Sequence, residues 1–360
     1  RYVRVKSVAF PTPNYLNNGG DPKPEFTGSI PQLGSGSYNG SFSSGEGKNI
    51  SSYSAGGNYY DKAGTTSGAT TGVTQGLIGS DYDDMLDLLS NQDDYQFNAL
   101  LTPGLFDKVH ASQTTTAINN TQTRGDNIYV LDPVVYGSTI VNATGQGDAR
   151  NTSYAAMYWP WLQTFEPDSG KNVWVPASTM MGGVYAFNDS VSEPWFAPAG
   201  INRGGLTNVV RAERQLTAAN RDTLYEANVN PIATFPGTGV VVYGQKTLQT
   251  QASALDRVNV RRLLIQLKSY IGQVAQTLVF EQNTAATRNN FLAAVNPYLE
   301  TVQQRQGLYA FKVVMDDSNN TPDVIDRNQL VGAIYLQPTK TAEFIYLDFN
   351  VLPTGATFPS

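Results

Sequence analysis

The sequence predicts a multidomain chain of mixed α+β and α/β character. A Gly/Ser-rich peripheral region comes first, then an α/β middle domain, then a C-terminal α+β domain whose helices pack on a mixed sheet. Three observations predict this. Strand-like and helix-like segments alternate with short connections from Asp81 onward. Two apolar stripes at helical spacing follow in the last third. Strand patterns close the chain, the last of them with a period of two. These patterns place the boundaries at 1–80 for the β- and loop-rich periphery, 81–235 for the middle domain and 236–360 for the C-terminal domain.

Residues 17–80 are dense in Gly, Ser, Asn and Tyr, as in Gly34-Ser35-Gly36-Ser37-Tyr38-Asn39-Gly40. Such a stretch buries too little apolar area to offset its ordering entropy, so a long peripheral loop is expected. Tyr38, Phe42, Tyr53, Tyr59 and Tyr60 leave room within it for a small β-rich patch. Met85, Leu86, Leu88 and Leu89 then suit a short helix, with Asp81, Asp83 and Asp84 near its positive end. Residues 96–101 suit a strand stopped by Pro103-Gly104. A polar helix through His110 and Ala117, a strand over 127–131 and a strand over 154–162 follow. Residues 176–186 and 216–227 read as helices.

The last block is the clearest. Val260, Leu263, Leu264, Leu267, Ile271, Val274 and Leu278 recur at helical spacing, with Asn259 as the expected N-cap. Phe291, Leu292, Val295, Leu299 and Val302 mark a second helix. Strands are expected over 309–315, 330–336 and 343–352, where Ile345, Leu347, Phe349 and Val351 alternate with Phe344, Tyr346, Asp348 and Asn350.

Composition narrows the function classes. The net charge of −6 argues against a whole-chain nucleic-acid binder, which is usually basic. No cysteine is present, which removes disulfides, thiolate metal sites and a Cys nucleophile. Apolar runs such as Val240 to Tyr243 are too short to span a bilayer, and no membrane insertion is expected.

Sites that chemistry would need are incomplete. His110 is the sole histidine, and no Gly-x-Ser-x-Gly elbow accompanies it. Gly45-Glu46-Gly47-Lys48-Asn49 fails the phosphate-loop pattern, with Phe42 at the first glycine and Asn49 in place of Ser or Thr. Asp316-Asp317-Ser318-Asn319-Asn320 lacks the glycine and distal Glu of a calcium loop and reads as a polar turn. Neither a catalytic residue, nor a metal ligand, nor a cofactor is assigned. One alternative stays open: Trp159, Trp161, Trp174 and Trp195 with Glu166 and Glu193 would suit a carbohydrate-binding protein or glycoside hydrolase. Packing is the better reading, because aromatic side chains dominate buried contact area.

An ordered series of segments points elsewhere. Asn230-Pro231-Ile232, Gly239 to Leu248, Asn259-Val260-Arg261-Arg262-Leu263, Val279-Phe280-Glu281-Gln282-Asn283, Gly307-Leu308-Tyr309 and Ala342-Glu343-Phe344-Ile345 occur in this order. Upstream stand Leu101 to Leu105, Val130-Leu131-Asp132-Pro133, Tyr154 to Trp161 and Trp195 to Gly200. Together they resemble the tail sheath proteins of contractile, T4-like bacteriophages over about 80–352. Residues 1–75 carry no part of the resemblance.

The resemblance implies a structural subunit with no catalytic centre. Such subunits stack as six-fold rings into a helical sheath around the tail tube, and contraction drives the tube through the host envelope. It implies a homo-oligomer whose partners are the tube protein, the baseplate and the tail terminator. The expected location is the virion tail, assembled in the host bacterial cytoplasm. Terminal arms of neighbouring copies are expected to add strands to each core sheet. The chain begins at Arg1, so it reads as a truncated form without its N-terminal arm, expected to be monomeric. The candidate assembly interface comprises Arg257, Arg261, Arg262 and Lys268, a basic cluster expected to turn outward from the helix stripe, either as a solvated face with local salt bridges or as a contact with an acidic surface of the tube or a neighbouring copy. Glu343, Phe344, Ile345 and Leu347 join it from the terminal strand.

Overall fold

A computed structural model describes residues 79–343, apart from 168 and 169. The expectations for the N-terminal low-complexity stretch and for Phe344, Ile345 and Leu347 lie outside the described residues. The first half runs α1 (Gly79–Ser90), β1 (Ala99–Phe106), α2 (Ala111–Arg124), β2 (Ile128–Asp132), α3 (Ile140–Asp148), β3 (Ala155–Trp159), β4 (Leu162–Glu166) and β5 (Lys171–Val175). Next come α4 (Ala177–Val191), β6 (Val209–Ala212), α5 (Ala218–Glu226), β7 (Val229–Phe235) and β8 (Gly239–Val242). The chain continues as α6 (Val258–Gln276), α7 (Ala285–Gln304), β9 (Leu308–Val314), α8 (Pro322–Asp326) and β10 (Ala333–Pro338).

The described residues form a mixed α and β architecture with three sheets. The largest has the order β1-β2-β3-β7-β8. Its first four strands are parallel, and β8 returns antiparallel beside β7. Helices cover both faces, so β2 and β3 are buried along their whole length and read as continuous apolar runs. Side-chain alternation assigns the faces. Ile128, Val130, Ala156, Tyr158 and Ile232 pack with Met181, Val184 and Tyr185 of α4. Tyr129, Leu131, Ala155, Met157 and Val229 pack with Leu86, Ile118, Ala143 and Leu224 from the helices of the other face.

Caps fix several helix ends. The side chains of Thr139, Thr217 and Thr284 accept from backbone N–H groups three residues on, at the starts of α3, α5 and α7. Gly125 closes α2 at φ 68°, a conformation that favours glycine.

Two elements differ from expectation. The first strand does not stop at Pro103-Gly104; β1 continues to Phe106. It is an edge strand, where a missing N–H is tolerated, and its register with β2 shifts between Leu101 and Phe106. The single strand expected over 154–162 is two strands, separated at Pro160. β3 stays in the central sheet, while β4 leaves for a three-stranded antiparallel sheet of order β5-β4-β6.

The C-terminal layer packs α6 and α7 against the antiparallel pair β9–β10. Leu263 and Leu267 join Phe291, Val295, Leu299, Val302 and Leu308 in its core. Val258 and Ile265, from the same helix, belong instead to the core under the central sheet. The first turns of α6 are therefore enclosed on all sides, from Val258 to Leu263. Asn259 is not the N-cap. Arg257 holds that position, and Asn259 lies inside the first turn, donating to the Trp195 carbonyl at 3.2 Å. The chain reaches the helix extended, with the Val258 N–H bonded to the Gln245 carbonyl, and the helix starts two residues earlier than expected.

Candidate functional site

The basic residues of α6 divide by environment. Arg261 and Arg262 do not turn outward: they are 4% and 5% exposed. Arg261 stacks 3.9 Å over the Tyr154 ring and donates to the Ser153 carbonyl and hydroxyl. Burial lowers its pKa. Arg262 donates to both carboxylate oxygens of Asp189 and lies 4.6 Å over the Tyr185 ring. The reason is the enclosure of this end of α6 between two cores. A guanidinium there must find acceptors and aromatic faces within its own chain. Lys268, two turns on, is exposed. It borders an open cleft of about 600 Å³ with Gln92, Gln96, Gln266, Gln273 and Gln276.

Arg257 and Glu343 meet. The Arg257 Nε–H donates to Glu343 Oε1 at 2.7 Å, the Tyr225 hydroxyl donates to Oε2 at 2.7 Å, and the Gln245 amide donates to Oε1 at 3.1 Å. The same Gln245 amide donates to the Thr341 hydroxyl at 2.6 Å. Burial and the Glu343 charge push the Tyr225 hydroxyl far above its ordinary range. Burial, and then repulsion from Arg257, lower the Lys246 ammonium beside them. Tyr225, Gln245, Asp189 and Ser153 carried no sequence signal. Their partners are 73 to 118 residues away, beyond any local pattern.

The tryptophans do not build a sugar platform. Trp159 sits in the core of the central sheet, and Trp195 in the C-terminal core. Trp161 stacks on Phe106 at 5.4 Å and donates to the Val134 carbonyl. Trp174, half-buried, lies under Arg211. Glu193 is paired with Arg305.

His110 is buried, and its Nδ1 accepts from the Phe106 N–H at 3.0 Å. Asp132, at the end of β2, accepts from the backbone N–H and hydroxyl of Ser178 in the first turn of α4. Burial raises its carboxyl pKa to about 7, against the lowering effect of those bonds. The segment Asp316 to Asn320 is a polar turn, closed by bonds such as Ser318 N–H to Asp316 Oδ1. Among the described residues, no helix is long and apolar enough to cross a membrane.

Comparison with known proteins gives a consistent result. The family model of the phage tail sheath protein central domain matches residues 79–248, and that of the phage tail sheath C-terminal domain matches 250–352. The tail sheath protein of Vibrio phage KVP40 is 42% identical over 208 residues, which is 58% of this chain and 31% of that protein. The tail sheath protein of Enterobacteria phage T4 is 39% identical over 208 residues, 58% of this chain and 32% of that protein. The chain thus matches about a third of the length of these relatives. The sheath complex of an extracellular contractile injection system (PVC), in its contracted state, superposes with a TM-score of 0.62 at 25% identity, covering 74% of each chain.

Proposed function

The chain belongs to the phage tail sheath family, and we propose that it is a structural subunit of a contractile phage tail sheath. In this reading, copies stack as six-fold rings around the tail tube and polymerise helically. Contraction of the array drives the tube through the host envelope for genome delivery. One observation carries the reading: two sheath domain matches in tandem, 79–248 and 250–352. The first takes in the central sheet, and the second takes in α6, α7, β9 and β10.

The partners in this reading are further copies of the chain, the tube protein, the baseplate and the tail terminator. The subunit resides in the virion tail, is assembled in the host cytoplasm, and has no enzymatic role. The C-terminal unit, 236–360, carries assembly. Lys268 is the exposed basic contact. Phe344, Ile345 and Leu347 complete the candidate contact with neighbouring copies. Contraction exchanges contacts between rigid subunits, because packed interfaces are bistable and not continuously deformable. A gain of roughly 200 Å² of buried apolar area per copy would supply about 5 kcal/mol before binding costs.

The test is electron microscopy of the full-length protein mixed with its tube protein. Helical sheaths around the tube are expected. Dispersed subunits under conditions where the tube itself polymerises would overturn the reading.

A further inference from the structure

We propose that Glu343 is a positioning residue: its carboxylate fixes the root of the C-terminal segment to one place on the subunit body. The proposal rests on the sheath reading above, in which the chain past Glu343 contacts neighbouring copies. The direction of a link depends on where it is anchored.

Among the described residues, backbone pairing does not place this root. The ladder with β9 ends at Pro338, and Thr339 makes the next backbone bond, to the Gly307 carbonyl. Beyond it, Lys340 and Ala342 are exposed. Residues 340–343 flank a cleft of about 570 Å³, facing Ser253, Asp256, Arg257 and Asn259 across it. Apolar packing is therefore slight here, and side-chain bonds must hold the segment.

Glu343 supplies them on both oxygens. Its donors come from three separate places: Tyr225 from α5, Gln245 from the chain after β8, and Arg257 from the entrance to α6. Its side chain is 17% exposed and that of Arg257 is 25% exposed, so water competes weakly for the pair. Three directions of approach define a point, where one bond would leave a swivel. Gln245 adds a second hold on Thr341. The reach also matters. Aspartate is one methylene shorter and cannot satisfy all three donors from the same backbone position, while glutamine keeps the shape and loses the charge.

The chain has no cysteine, so a single probe can be placed without background. A nitroxide at Ala342→Cys in the full chain is expected to be immobilised. Adding Glu343→Gln or Glu343→Asp is expected to shorten its rotational correlation time at least threefold. The thermal midpoint of the body should stay unchanged, a separation that a merely structural role would not give. In the full-length protein with its tube, Glu343→Gln is expected to yield at least threefold fewer sheaths than the unsubstituted protein. Equal immobilisation of the probe with and without Glu343 would overturn the proposal. So would a mobile probe accompanied by sheaths of normal number and length. If the unsubstituted protein forms no sheath at all, the functional reading fails, and the probe alone decides whether Glu343 holds the segment.

Discussion

Arg262 and Asp189 form an ion pair between α6 and the C-terminal end of α4, with the Arg262 Nη2 2.8 and 2.6 Å from the two carboxylate oxygens. Arg262 is 6% exposed in its side chain and Asp189 29%. Arg262→Ala leaves the carboxylate without its cation and uncovers Tyr185. A loss of about 2–3 kcal/mol is expected, in the range for charged hydrogen bonds. Arg262→Lys keeps the charge without the planar stack on Tyr185 and should recover only part of it. Denaturant midpoints measure both. An unchanged midpoint for the alanine variant would show that the pair holds nothing.

Asp132 should make stability depend on pH in an uncommon direction. Burial raises its folded-state pKa to about 7, from an ordinary carboxyl's 3.8. For a raised pKa the folded state binds the proton more tightly than the unfolded state does. The contribution is fully present below the unfolded pKa and is lost as pH rises through the folded pKa. The window is therefore roughly pH 4 to 7, and about three pH units at 1.4 kcal/mol each bound the effect at about 4 kcal/mol. In paired melts, the stability of Asp132→Asn relative to the unsubstituted chain should increase with pH across that window. A constant difference between the two would sink the assignment.

Two helical glycines should respond oppositely to alanine. A Cβ at Gly147 in α3 would stand 2.0 Å from the Ala227 carbonyl oxygen and 2.8 Å from the Val229 side chain. Backbone would have to move, at a cost of about 1–3 kcal/mol or more. A Cβ at Gly183 in α4 meets nothing within 4 Å. Gly183→Ala should stabilise by about 0.5–1 kcal/mol through helix propensity. Thermal melts of the two variants give the comparison, and a stable Gly147→Ala would contradict the close approach.

Lys268 offers the cleanest test of an exposed contact. Its Nζ has a 3.4 Å contact with the Tyr154 hydroxyl, so charge reversal should spare the fold. Lys268→Glu in the full-length protein is expected to reduce sheath formation several-fold with an unchanged melting profile. Sheaths of normal number and length would remove Lys268 from the interface.

Legibility in the sequence followed the number of packing partners. The stripe from Val260 to Leu278 announced α6, and the apolar run at 128–131 announced β2, because each signal is set by neighbours along the chain. The same stripe misplaced Arg261 and Arg262. A helical pattern with polar residues opposite its apolar face implies one covered side, and here a second core covers the other. The continuation of β1 through Pro103 was hidden because edge position is a property of the sheet. Of the candidate interface, the residue types at 257 and 343 were visible. That they meet each other was not, since 86 residues separate them.

The placement of α6 in two cores has a mechanical consequence. No slack tether separates the central sheet from the β9–β10 layer, because one helix is a wall of both. A single residue inserted midway, near Leu264, would turn everything after it by about 100°. Ile265 and Leu267 would then leave their cores together. Length variation is therefore barred from this helix, and a pull on the outer layer reaches the sheet through a stiff rod, with no hinge to absorb it.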